Sequence, residues 1–220
     1  MQKEYRQKSF QAPPGALSLL LVRHGESEAA IPGKSFPLVD GHGDPALHPK
    51  GHEQAEAVAE RLEHDGLDAV YVTTLRRTHQ TAAPLAARLG IKTTVERDLR
   101  EICLGEWDGG LYRIKMAEGD PIFHKVFAEQ EWGHVPGAET TECLHTRVKS
   151  AILRLAGTHP DEHVAAFVHG GVIGAAMSIA TGAAPFAFLG AENGSITHLV
   201  ITNDAMIVRG FNDCTHLAEL

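Results

Sequence analysis

Apolar positions along the chain fall into short unbroken runs and longer amphipathic stretches. Residues 19–22, Leu-Leu-Leu-Val, form one such run, and it ends abruptly in Arg23, His24 and Gly25. A run without alternation reads as a strand covered on both faces, the pattern of the middle of a parallel sheet. Residues 68–72 and 163–168 repeat the pattern, and each leads through polar residues into a helical stretch. A helix is expected from Pro49, a residue suited to a first helical position, with Ala55, Val58, Ala59 and Leu62 at helical spacing and Gly66 as a stop. A second runs from a cap at Thr73 or Thr74 to Gly90, with Pro84 predicting a kink. A third, residues 139–156, rests on Cys143, Leu144, Val148, Ile152 and Leu155, and a fourth, residues 172–181, is apolar. Residues 92–95 make a weak strand and 111–130 an ambiguous helix, with a turn at 135–137. Residues 31–43 carry Pro32, Gly33, Pro37, Gly41 and Gly43 and read as a long loop. Residues 195–201 and 205–211, joined at Asn203 and Asp204, read as an antiparallel hairpin.

Strands alternating with helices predict an α/β fold. The expected architecture is a three-layer sandwich, a mostly parallel sheet of about six strands with helices on both faces and one antiparallel edge. At 220 residues and 43% hydrophobic composition the chain can bury the core of one large domain, residues 16–220, behind a flexible polar segment, residues 1–15. A formal charge of −8 argues against nucleic acid or an anionic membrane as partner, so any functional positive charge must be local. Three scattered cysteines without a CxxC pair fit free thiols in a reducing compartment. With no signal-like or spanning segment read from the pattern, the expected location is the cytoplasm. His42, His48 and His52 lack the HExxH spacing and are read as solvated positions, and no metal is expected.

Four segments carry chemistry near strand ends: Arg23-His24, Arg76-Arg77, Glu101, and His169-Gly170-Gly171. In a parallel sheet those ends share one rim, where such folds bind ligands. Guanidinium forks match phosphate oxygens, an imidazole can attack or carry a proton, and Gly170 and Gly171 at a helix start add backbone donors and the positive end of a dipole. The set is shaped for a tetrahedral dianion.

The motifs Leu21-Val22-Arg23-His24-Gly25-Glu26-Ser27, Thr73-Thr74-Leu75-Arg76-Arg77-Thr78-His79-Gln80-Thr81-Ala82, Leu99-Arg100-Glu101-Ile102 with Gly105-Glu106-Trp107-Asp108-Gly109, and Phe167-Val168-His169-Gly170-Gly171 occur in order. With Asp44 to Leu47, Gly51 to Ala55 and the closing Asn212 to Leu217, they resemble the histidine phosphatase superfamily, also called phosphoglycerate mutase-like, over residues 17–217. The resemblance implies metal-independent hydrolysis of a small phosphorylated metabolite through a phosphohistidine, with no cofactor. It implies His24 as nucleophile, Glu101 as proton donor and His169 as a third catalytic group, with Arg23, Arg77, His169 and Gly170 holding the phosphate. Arg76 falls on a variable position, Thr73-Thr74 replaces a common Ser-Pro pair, and Ala30 stands where many members have asparagine. Two rivals share these residues: a phosphoglycerate mutase, whose insertion between acid and second histidine is usually longer, and a non-catalytic phosphoprotein-binding module. The expected partner is a small phosphomonoester, without nucleic acid or membrane, and a homodimer is left open. Residues 31–43 and 110–137 are expected to set specificity, Glu106 and Trp107 have no assigned role, and His216 is expected to serve structure.

Overall fold

The computed structural model describes residues 4–220. Its elements follow in chain order as β1 (Leu17–Arg23), β2 (Leu38–Val39), β3 (His42–Gly43), α1 (Pro49–Leu62), β4 (Ala69–Val72), α2 (Arg76–Leu89) and β5 (Thr94–Val95). The second half adds α3 (Leu111–Glu118), α4 (Pro121–Glu129), α5 (Thr141–Thr158), β6 (His163–Val168), α6 (Gly170–Thr181), β7 (Ile196–Ile201) and β8 (Met206–Asp213).

The main sheet has the order β5-β4-β6-β1-β7-β8. Strands β5, β4, β6 and β1 are parallel, and β7 runs antiparallel to both of its neighbours, β1 and β8. The mixed six-stranded sheet expected from the sequence is therefore present, with β7 as its reversed strand. Leu17, Leu19 and Leu21 of β1 face a core shared with α5 and α6, while Leu20 and Val22 face a second core with α1 and α2. Strand β6 divides the same way, Val164, Ala166 and Val168 against Ala165 and Phe167. Each large apolar side chain buried this way contributes roughly 1.5–3 kcal/mol, which is why neither strand has a polar side.

Several local expectations are corrected. Helix α2 starts at Arg76, and Leu75, in the capping position, has no side-chain acceptor. The Arg76 N–H donates instead to Asp44 Oδ1 at 2.8 Å, so a carboxylate from a distant loop does the work expected of Thr73 or Thr74. The helix passes through Pro84 and stops at Gly90 in the left-handed region, φ 65°. Residues 111–130 form two helices, because Gly119 ends α3 at φ 66° and Asp120 caps α4 by accepting from the Ile122 N–H at 2.9 Å. The loop of residues 31–43 contains the β2–β3 hairpin, pinned by Gly43 N–H donating to Asp108 Oδ1 at 2.9 Å and by an Arg97–Asp40 ion pair at 2.7 Å. Among the described residues no helix is long and apolar enough to cross a membrane.

Candidate active site

Strands β1 and β6 are adjacent and in register, Arg23 opposite Val168, so their carboxyl ends deliver His24 and His169 side by side. The two rings lie edge to face with centroids 5.2 Å apart. After His24 the chain turns through Gly25 directly against the start of α1. A Cβ on Gly25 would stand 2.4 Å from the Gly51 carbonyl oxygen, so only glycine permits this approach. The turn is tied down by Gly25 N–H donating to Thr81 Oγ1 at 3.0 Å and Glu26 N–H donating to Gln54 Oε1 at 2.8 Å.

The hydrogen bonds of His24 define its tautomer. Arg77 Nε–H can only donate, and it points at His24 Nε2 at 3.1 Å, so Nε2 carries a lone pair. The proton is then on Nδ1, which donates to the Gly25 carbonyl at 2.7 Å. Burial first, then the charges of Arg77 and Arg23, hold the His24 pKa well below the ordinary imidazole value. A neutral ring with its lone pair on Nε2 is the nucleophilic form, once the Arg77 N–H that caps that lone pair lets it go.

His169 is fully buried, with Nε2 bonded to Thr73 Oγ1 at 2.9 Å. Its pKa is likewise held well down, by burial and then by Arg77 and His24. Its Nδ1 and the Nε of Arg23 are buried without a protein partner, two orphaned groups at one rim that an anion's oxygens could satisfy. Arg77, only 6% exposed, donates from Nη1 to the Gly43 carbonyl at 2.9 Å, and burial lowers its pKa to about 10. It remains charged at neutral pH. Arg23 donates through Nη1 to the Ala191 carbonyl, and Gly170 stands against its Nε, where a Cβ would lie at 3.4 Å.

Glu101 reaches the rim from a loop. Its Oε1 accepts from Ile102 N–H at 3.0 Å and from Gly171 N–H at 3.2 Å, the second at the start of α6. The same Gly171 N–H lies 3.5 Å from Oε2, so Oε1 is the more strongly held oxygen. A Cβ on Gly171 would stand 2.6 Å from Oε1, so a side chain there would push the carboxyl away.

All the residues expected at the site, Arg23, His24, Arg77, Glu101, His169 and Gly170, thus gather at one rim. Arg76 does not join them, because it is exposed and its Nε donates to the Asp44 carbonyl at 2.8 Å. Trp107 is buried in the α5–α6 core, and His216 Nε2 lies 3.0 Å from the Gly194 carbonyl oxygen. His42, expected to be solvated, is instead buried with Nδ1 beside the Asp40 carbonyl oxygen at 3.0 Å, while His48 is exposed with Nδ1 accepting from Lys50 N–H at 3.3 Å.

Sequence reasoning missed four contributors. Thr73 was read as a helix cap, yet it supports His169. Asn193 donates from Nδ2 to the His24 carbonyl at 2.9 Å. Arg113 of α3 donates to Ser27 Oγ at 2.7 Å and to the Glu28 carbonyl at 2.8 Å, from a stretch whose helical pattern is weak. Arg147 of α5 grips the loop that carries Glu101. Beside the rim opens a cavity of about 660 Å³, with Arg23, Glu26, Ser27, Ala30, Arg113 and Asn193 in its wall.

Comparison with known proteins accords with this geometry. A family model described as "Histidine phosphatase superfamily (branch 1)" matches residues 19–214. The phosphoglycerate mutase-like protein 4 of Arabidopsis thaliana is 33% identical over 159 residues, 70% of this chain and 67% of that protein. A metal-independent phosphoserine phosphatase, also of Arabidopsis thaliana, is 30% identical over 206 residues, 92% of this chain and 84% of that protein. Among solved structures, a mycobacterial glucosyl-3-phosphoglycerate phosphatase superposes with a TM-score of 0.75 at 24% identity, covering 90% of this chain and 99% of that one, a likeness of fold.

Proposed function

This chain belongs to the histidine phosphatase superfamily, and we propose that it hydrolyses a small phosphomonoester by passing the phosphoryl group through His24. The observation that carries the reading is the buried, neutral His24, its Nε2 lone pair fixed by Arg77 beside a rim of cationic and unpaired donors. In the first step Nε2 bonds to phosphorus while the ester P–O bond breaks, and the departing oxygen takes a proton from Glu101. In the second, water attacks phosphorus, the P–N bond breaks, and the Glu101 carboxylate accepts the water's proton. Arg23, Arg77 and His169 face the charge on the transferring oxygens, and the Arg77 Nε–H passes from His24 Nε2 to a phosphate oxygen as Nε2 bonds to phosphorus. Gly170 sets the start of α6, and its dipole, against the same oxygens.

The catalytic domain spans residues 16–220 in this reading. The substrate's alcohol portion occupies the cavity beside the rim, where Arg113 and Glu26 offer opposite charges over an apolar wall that includes Ala30. A cavity of about 660 Å³ suits a small metabolite better than a protein surface. Hydrolysis is favoured over mutase chemistry because the chain between Glu101 and His169 is short, and among curated relatives one is a metal-independent phosphoserine phosphatase.

A panel of phosphomonoesters assayed in excess chelator tests this. Sustained phosphate release supports it. Loss of release with chelator would show that a metal is needed, and interconversion of phosphoglycerate isomers faster than phosphate release would show a mutase.

A further inference from the structure

Glu101 stands on a segment that pairs with no strand. Residues 97–99 make a single 3-10 turn, and the carbonyls from Asp98 onward have to find partners outside regular structure. They find them in one side chain. Arg147 of α5 donates from Nη1 to the carbonyls of Asp98 at 2.7 Å and Arg100 at 2.8 Å, and from Nη2 to the carbonyl of Glu101 itself at 3.1 Å. Its Nε and the other Nη2 hydrogen form a two-point pair with Glu139, at 2.6 and 2.8 Å. All five guanidinium N–H groups are therefore used. Glu139 completes the grip from the other side, its Oε2 accepting from Cys103 N–H at 3.3 Å and its own N–H donating to the Cys103 carbonyl at 2.9 Å.

The Arg147 and Glu139 side chains are only 17% and 13% exposed, so the pair is largely shielded from competing water. It binds the backbone on both sides of Glu101, from residue 98 to residue 103, to helix α5. The carboxyl end is separately fixed by Ile102 and Gly171. Backbone and carboxyl are thus anchored to two different helices, α5 and α6, with no sheet hydrogen bond involved.

We propose that Arg147, held by Glu139, is the positioning residue for proton transfer: it sets where the Glu101 carboxyl stands relative to the departing ester oxygen. Arg147 touches no reacting atom. The proposal rests on reading Glu101 as the proton donor, and it makes a statement that a merely structural ion pair would not. Loss of the clamp harms the proton-dependent half of the chemistry and spares the rest, because displacing a catalytic group by about 1 Å can cost on the order of 10² in rate.

The test compares an alkyl phosphate, whose alkoxide leaves poorly without a proton, with a nitrophenyl phosphate, whose phenolate needs little help. Arg147→Lys keeps the charge but cannot span three carbonyls and a carboxylate. Single-turnover formation of phosphoenzyme by R147K should fall roughly 10- to 100-fold with the alkyl ester and only about twofold with the aryl ester. Glu139→Gln, a milder change that keeps one oxygen acceptor, should show the same contrast at smaller size. In a Glu101→Gln background R147K should add almost nothing to the alkyl loss. Phosphoenzyme formation by R147K from the aryl ester that stays within about twofold of the wild-type rate reports an intact fold and nucleophile. Equal losses on both esters, or R147K adding its full effect to Glu101→Gln, would overturn the positioning role. If Glu101→Gln itself shows no ester contrast, the proton-donor assignment fails and the proposal with it. A contrast in Glu101→Gln that is absent from both R147K and Glu139→Gln overturns the proposal alone.

Discussion

In the proposed reaction the site has a phosphate half and a proton-transfer half, and the two are held by different means. The phosphate half, Arg23, His24 and His169, leaves the ends of two hydrogen-bonded strands, so its spacing is set by a backbone ladder. The proton-transfer half, Glu101, leaves a loop whose position depends on the side chains of Glu139 and Arg147 and on one backbone N–H at the start of α6. A ladder tolerates most substitutions that keep the strand buried. A loop held by single side chains depends on each of them, so the acid should be far more sensitive than the nucleophile to changes distant in sequence.

The contrast is sharpened most by Arg77, which donates to His24 Nε2 and in the proposed reaction faces the phosphate. Arg77→Ala should lower kcat/KM about 10²- to 10³-fold, on alkyl and aryl esters alike, and weaken vanadate inhibition. Its neighbour Arg76, turned outward, should matter no more than about twofold when changed to Ala, as expected of an exposed charge. Equal losses for the two would mean that the first turn of α2 presents a different face to the site. At the acid end, Gly171→Ala places a methyl where Glu101 Oε1 now sits, 2.6 Å away, and must displace the carboxyl. In single-turnover phosphoenzyme formation a loss of roughly 10-fold with an alkyl ester and a much smaller one with an aryl ester is expected. A uniform loss would indicate that α6 itself moved.

This division also explains what could be read in advance. Unbroken apolar runs ending in Arg23-His24 and in His169 announce strands, and strand ends in a parallel sheet announce a shared rim, so the fold and the phosphate half were legible. Thr73, Arg113, Asn193 and Arg147 were not. Each contributes through a contact spanning many residues in sequence, with no spacing that betrays it: Arg147 lies on a helix whose apolar positions alone carried the pattern. The start of α2 was misread for the same reason, since its cap is Asp44, 32 positions earlier. The break between α3 and α4 was encoded in Gly119-Asp120-Pro121, but the weak periodicity around it hid the boundary.

The buried imidazoles make a smaller, pH-dependent mark on stability. Both His24 and His169 have folded pKa values well below 6.5, so between 6.5 and those values the unfolded chain binds protons that the folded one excludes. Stability is therefore intact above about pH 6.5 and falls as the solution is acidified, by up to about 1.4 kcal/mol per pH unit for each ring. Denaturant titrations from pH 7 to 5.5 should show this slope, and His24→Asn should flatten it. Identical slopes for variant and wild type would mean that His24 titrates normally in the folded protein.

The central claim is that the phosphoryl group rests on His24 between two displacements. Enzyme mixed with a good substrate, quenched within milliseconds into base and digested without exposure to acid, gives its answer by mass spectrometry. Phosphate on His24 in the wild-type protein, and neither label nor turnover in a folded His24→Ala variant, is the expected result. Phosphate on Ser27 or on another histidine, or a His24→Ala protein that still turns over, would contradict it.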